Sequence, residues 1–125
     1  MAAHTITLPW TTPMLSLNGR DHYRVKAKKV AQIRHDVATL IRERQIEPAG
    51  HVRVELHYRP RDNRRRDEDN LVGDLKAICD GLVDAGLVPD DTPEWMSKIM
   101  PILHRAERGV GSQMWLAVDC SPIVP

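Results

Sequence analysis

The chain contains no phenylalanine and only two cysteines, and aromatic residues make up just 4% of its 125 positions. Two cysteines, Cys79 and Cys120, are too few for a disulfide framework and lack the spacing of metal ligands, so both read as ordinary thiols. No apolar run approaches the roughly 18 residues of a membrane span, and Met1-Ala2-Ala3-His4-Thr5 lacks the basic-then-apolar order of a signal peptide. These absences predict a cytoplasmic protein with no membrane partner. The chain length supports one domain over residues 1–125 with a single core, so one site is expected. Hydrophobic residues at 42% and charged residues at 28% describe a globular chain rather than a disordered one.

A net charge of +1 by itself predicts no affinity for nucleic acid, but the charge is segregated along the chain. Residues 20–45 hold eight cations, among them Lys26, Lys28 and Lys29, against three acids. Residues 59–66 hold five arginines against Asp62 alone. Residues 67–94 then carry nine acids against the single cation Lys76. A basic surface beside an acidic centre suits an enzyme that acts on a polyanion through metal ions, the cations holding phosphates and the acids the metal.

Apolar periodicity predicts an α+β domain in which a mixed sheet packs against two helices, in the order β-α-β-α-β-β. Residues 4–10 alternate as a short strand ending at Pro9, followed by a loop in which Met14, Leu15 and Leu17 face the core and Asn18 and Arg20 are turn or site residues. Val30, Ile33, Val37, Leu40 and Ile41 recur at helical spacing between Arg24 and Gln45. Val52, Val54, Leu56 and Tyr58 alternate with charged residues as a half-buried strand. A second helix is expected from Asn70 to Ala85, with Asp69 as N-cap and Gly86 as left-handed C-cap. Thr92-Pro93 predicts a single helical turn. Residues 97–106 read as an edge strand holding Pro101, and Met114, Leu116 and Val118 begin the last strand.

The stretch Arg64-Arg65-Arg66-Asp67-Glu68-Asp69-Asn70 sets three cations against three acids. In an extended segment Asp67 and Asp69 point the same way, giving paired carboxylates. Either a divalent metal, the neighbouring arginines or solvent alone offsets their repulsion. Oxygen-only ligands suit Mg²⁺ or Mn²⁺, with Asp91 or Asp90 as third donor. Lys76, seven residues after Asp69, shares its helix face, where it either pairs with Asp80 or stabilises charge on a reacting phosphate. Arg64, Arg65, Arg66, Asn70, Lys26, Lys28 and Lys29 are candidate contacts to a phosphate backbone, the three lysines reading equally as a solvated helix face. Trp95 reads as a core residue or as a platform for an exposed base.

Arg-Arg-Arg-Asp-Glu-Asp-Asn-Leu, then Leu-Lys, then Asp-Gly-Leu-Val-Asp-Ala-Gly-Leu-Val-Pro-Asp-Asp resembles the RusA family of Holliday-junction resolvases across residues 64–91. The resemblance implies a homodimeric, Mg²⁺-dependent endodeoxyribonuclease that resolves four-way and other branched DNA in recombination and repair. It implies metal ligands at Asp67, Asp69 and Asp91 and a catalytic lysine at Lys76. The family pattern places that lysine four residues after the second acid, where this chain has Gly73; three inserted residues bring Lys76 into register with Asp91 instead. A helix from Asn70 to Ala85 is about 24 Å long, whereas the residues before Asp91 extend about 17 Å, so Asp91 is expected to meet the acid pair of a second subunit. Rival readings are a non-catalytic nucleic-acid-binding module with charge-balanced loops and, more distantly, a metal-dependent transferase using Asp67-Glu68-Asp69.

Overall fold

The computed structural model describes residues 2–15 and 22–124. Leu17, Asn18 and Arg20 of the predicted loop lie outside them. Strand β1 (Ala2–Thr7) leads to helix α1 (Tyr23–Glu43), strand β2 (His51–Arg59), a 3₁₀ turn (Glu68–Leu71), helix α2 (Val72–Asp84), short strands β3 (Met96–Lys98) and β4 (Ile102–Leu103), and strand β5 (Gln113–Ser121). The sheet order is β1-β5-β2-β3, with β4 also on β2. β5 is antiparallel to both β1 and β2, while β3 and β4 run parallel to β2. The result is the expected α+β domain with a mixed sheet and two helices.

Alternation decides which sheet face is covered. Val52, Val54, Leu56 and Tyr58 of β2 and Met114, Leu116, Val118 and Cys120 of β5 are buried, and they form one core with Ile33, Val37 and Ile41 of α1 and Leu75, Ile78 and Leu82 of α2. Fully burying a side chain such as Leu56 or Ile78 contributes about 1.5–3 kcal/mol. Trp95 packs against this core, which favours the core reading over a base platform. The two helices approach closely at Gly81, where a Cβ would stand 2.9 Å from Val37 Cβ and 3.0 Å from the Arg34 carbonyl. Arg34 forks both Asp84 oxygens at 2.7 Å, joining α1 to the end of α2.

Gly86 ends α2 as predicted, at φ +79°. Its N–H reaches the Val83 carbonyl at 2.9 Å and Leu87 N–H the Leu82 carbonyl at 3.1 Å, the paired bonds of a Schellman ending. Thr92 accepts from both Trp95 and Met96 N–H at 2.9 Å, closing the predicted turn.

Three elements differ from the sequence reading. The first strand, expected over residues 4–10, runs instead over Ala2–Thr7. The strand expected at 97–106 is split. β3 pairs Lys98 with Val54 and β4 pairs Ile102 with His57, so the edge gains one residue across Ile99–Pro101. Pro101 has no N–H for the ladder, and the bulge accommodates it. The second helix begins at Val72 rather than Asn70, because the residues before it wind as the 3₁₀ turn.

Candidate functional site

The basic loop is organised by Asp62. Arg66 donates to the Asp62 carbonyl at 2.7 Å and to its Oδ1 at 2.8 Å, and Arg64 Nε reaches the same Oδ1 at 3.2 Å. The Arg66 side chain, and after it the Arg64 backbone and side chain, hold the Asp62 carboxyl down at about 2. Arg64 and Arg66 are therefore partly committed within the loop. Arg65 is exposed and has no ion pair among the described residues. Asn63 Oδ1 accepts Ala106 N–H at 2.8 Å and draws the loop after β4 alongside. Between them lies a cleft of about 420 Å³ lined by Arg64, Arg65, Arg66, His104 and Arg105.

Sequence reasoning missed His104 and Arg105 because they lay in the predicted edge strand. The polar, turn-prone His104-Arg105-Ala106-Glu107-Arg108-Gly109 run was the available signal. His104 is fixed from behind by His57, whose Nδ1 is 2.8 Å from His104 Nε2. Trp115 stacks on His57 at 5.2 Å. Burial, then the neighbouring His57 and Arg59, pushes the His104 pKa below its ordinary value.

Asp67 is extended, at φ −109° and ψ 137°, but Asp69 sits inside the 3₁₀ turn. The two are not alternate residues of one extended segment, and Asp69 is not an N-cap. Position 71 is the cap of α2, and no side-chain cap bond forms at the start of the 3₁₀ turn or of α2. Asp67, Glu68 and Asp69 are exposed, and none has an ion pair among the described residues. The arginines that could have neutralised them turn to Asp62 instead. Beside Asp67 and Asn70 is a second, smaller slot of about 270 Å³, with Pro13, Tyr58, Leu71 and Leu103 as walls and Arg66 shared with the cleft.

Asp91 is held by two lysines of its own. Its Oδ2 receives Lys76 Nζ and Lys98 Nζ, each at 2.8 Å, and Lys76 also reaches Asp80 at 3.1 Å. Lys76 first, and Lys98 after it, hold the Asp91 carboxyl far below the carboxylate range, while Asp91 and Asp80 raise the Lys76 ammonium. The salt bridge expected as the plain alternative for Lys76 forms, and a contact with Asp91 is added to it. Lys98 was not foreseen. It faces the helix side of the edge strand opposite Val54, seven residues beyond Asp91, and only the turn at Thr92 brings the two together. Asp90 Oδ1 accepts Asp91 N–H at 2.7 Å, a local role that leaves Asp91 as the inward-held acid. Among the described residues no three His, Cys, Asp or Glu side chains stand close enough to hold a metal ion. The acids of one chain, as arranged, do not fit a three-carboxylate cation site.

Among the described residues Asp74 is the one buried charged residue, fully inaccessible on the inner face of α2. It accepts Leu15 N–H at 2.7 Å and Met14 N–H at 3.0 Å, pinning the end of the described loop beside Pro13. Burial pushes its pKa up against these two bonds and the nearby Lys29. The signal was in the periodicity, since position 74 lies three residues after Leu71 and four before Ile78, both core residues. Asp74→Ala orphans two amides and should cost about 2–4 kcal/mol in denaturant unfolding; a cost under about 0.5 kcal/mol would show that the loop is held elsewhere.

Of the first-helix lysines, Lys26 and Lys28 are exposed and Lys29 is half-buried towards Asp74. Cys79 is buried, its thiol pushed up to about 12 by burial, which leaves it inert. No described helix is long and apolar enough to cross a membrane. No protein-family model matches the chain, and no curated protein matches its sequence.

Proposed function

We propose that this protein is a structure-specific endodeoxyribonuclease that cuts four-way and related branched DNA in recombination and repair, working as a homodimer with Mg²⁺, for which Mn²⁺ can substitute. One observation carries the reading: Arg64 and Arg66 bind Asp62 rather than Asp67 and Asp69, so the two acids stand unpaired among the described residues, beside a cleft lined by arginines. The cleft suits a phosphate backbone, and unpaired oxygen ligands suit a hard cation. The resemblance of residues 64–91 to RusA resolvases supports the same chemistry.

Since the described residues of one chain do not gather three ligands, the cation would be held by Asp67 and Asp69 of one chain and Asp91 of the other. Both lysines use Asp91 Oδ2, and Oδ1 is left without a protein partner among the described residues. Bound there, Mg²⁺ would supply the positive charge that phosphodiester hydrolysis at neutral pH requires. Lys76 stays with Asp91 at 2.8 Å, so it belongs to the half-site that crosses to the second chain. The two-fold symmetry of such a pair places two equivalent sites on one junction.

The test is a labelled four-way junction incubated with the protein and Mg²⁺. Paired nicks near the crossover support the nuclease. Tight binding without cutting favours the second reading, a non-catalytic module for nucleic acid, which the lack of a three-acid cluster in the described chain also favours.

A further inference from the structure

The slot beside Asp67 has the wrong lining for a phosphate. Tyr58 and Leu71 are core residues with only their edges reaching it, and with Pro13 and Leu103 they give it apolar walls. Asp67 stands at its polar edge and would repel an anion. Asn70, on the same edge, has no side-chain partner among the described residues. Its amide offers a donor and an acceptor side by side, the pairing that reads a nucleobase edge. At about 270 Å³ the slot lies just below the range of small-molecule sites, which run from roughly 300 Å³ upwards.

Its neighbour supplies the other half of the argument. Arg66 and Leu103 line both the slot and the arginine cleft, so the two lie side by side across a shared wall. The Arg66 guanidinium is tied to Asp62 and to the Arg64 carbonyl at 3.1 Å, and it forms a fixed partition rather than a mobile ligand. A strand running along Arg64, Arg65 and Arg105 would have the slot's apolar walls beside its backbone. In a paired, stacked duplex the base cannot leave the helix cheaply, whereas at a branch point pairing and stacking are already interrupted.

We propose that the slot receives one unstacked nucleobase from the strand held in the arginine cleft, and so selects branched over fully paired DNA. This rests on the branched-DNA reading above. Pro13 forms one wall, and the Asp74 bonds to Met14 and Leu15 hold that wall in place.

Binding in EDTA, where no cutting can occur, tests the proposal. Four-way junctions carrying a single abasic site, moved one nucleotide at a time around the branch, are titrated against the wild type, Leu103→Trp and Asn70→Ala. Thermal melts check that both variants fold. At one position the missing base should weaken wild-type binding about tenfold, as loss of a stacked base does. Leu103→Trp, with the slot filled, should bind the intact junction about tenfold more weakly and be indifferent to that abasic site. Asn70→Ala should show a smaller penalty at the same position. Identical abasic penalties in all three proteins at every position would overturn the slot while leaving the branched-DNA reading intact. A wild type with no preference for the junction over linear duplex would overturn both.

Discussion

If the proposed nuclease reading holds, Asp69→Asn should lower the rate of junction nicking on the order of 10³-fold, through loss of the several kcal/mol of charge stabilisation that a metal-holding carboxylate supports. The substitution keeps the shape of the side chain and removes only its charge. Asp69 is exposed, caps no helix and has no ion pair among the described residues, so stability should change by less than about 0.5 kcal/mol. Affinity for the junction should stay within about threefold of wild type or improve, since an anion near the phosphates has gone. Loss of cutting with folding and binding intact separates chemistry from scaffold. A variant that nicks at the wild-type rate would remove Asp69 from the site.

The second large effect is on binding. If Arg64, Arg65, Arg105 and one first-helix lysine each displace a counterion, log affinity falls with log salt at a slope of about −3.6, a loss on the order of 10²-fold between 50 and 200 mM salt. The arginines are not equivalent. Arg65 is exposed and unpaired among the described residues, so Arg65→Ala should flatten the slope by about 1 with no loss of stability. Arg66 is folded into the Asp62 knot, so Arg66→Ala should disturb the loop and lower affinity without the same clean change of slope. Titration by fluorescence anisotropy over a salt series reads both. Equal slopes for the wild type and Arg65→Ala would contradict the cleft as the phosphate track.

The features legible in the sequence were those written in contiguous residues. The alternation of Val52 to Tyr58 and the periodicity before Gly86 specified β2 and α2, because burial of one face fixes the period. Arg64 to Asp69 was visible as a cluster for the same reason. Contacts made by turns were not visible. Which partner Arg64 and Arg66 would choose depends on how the backbone folds after Pro60, since Asp62 and Asp67 both lie within four residues of each arginine. Lys98 meets Asp91 only because Thr92 closes a turn between them. The 3₁₀ winding of Glu68–Leu71 displaced the expected cap, since helix starts are set by local hydrogen bonding that propensity resolves poorly. Asp74 was legible in principle, a carboxylate on a core face, but its two amide partners lie about sixty positions away.

The central claim is that each active site draws Asp67 and Asp69 from one chain and Asp91, with Lys76, from the other. Subunit mixing tests it most directly. Asp69→Asn and Asp91→Asn chains, each inactive alone, are unfolded together, refolded and given a junction with Mg²⁺. Heterodimers, about half of the mixture, would regain one intact site of two, so nicking should return to about a quarter of the wild-type rate, mostly as single nicks. Asp69→Asn mixed with Lys76→Ala should recover likewise, whereas Asp91→Asn mixed with Lys76→Ala should not. No recovery in the first mixture would contradict the shared site, and recovery in the third would contradict the grouping of Lys76 with Asp91.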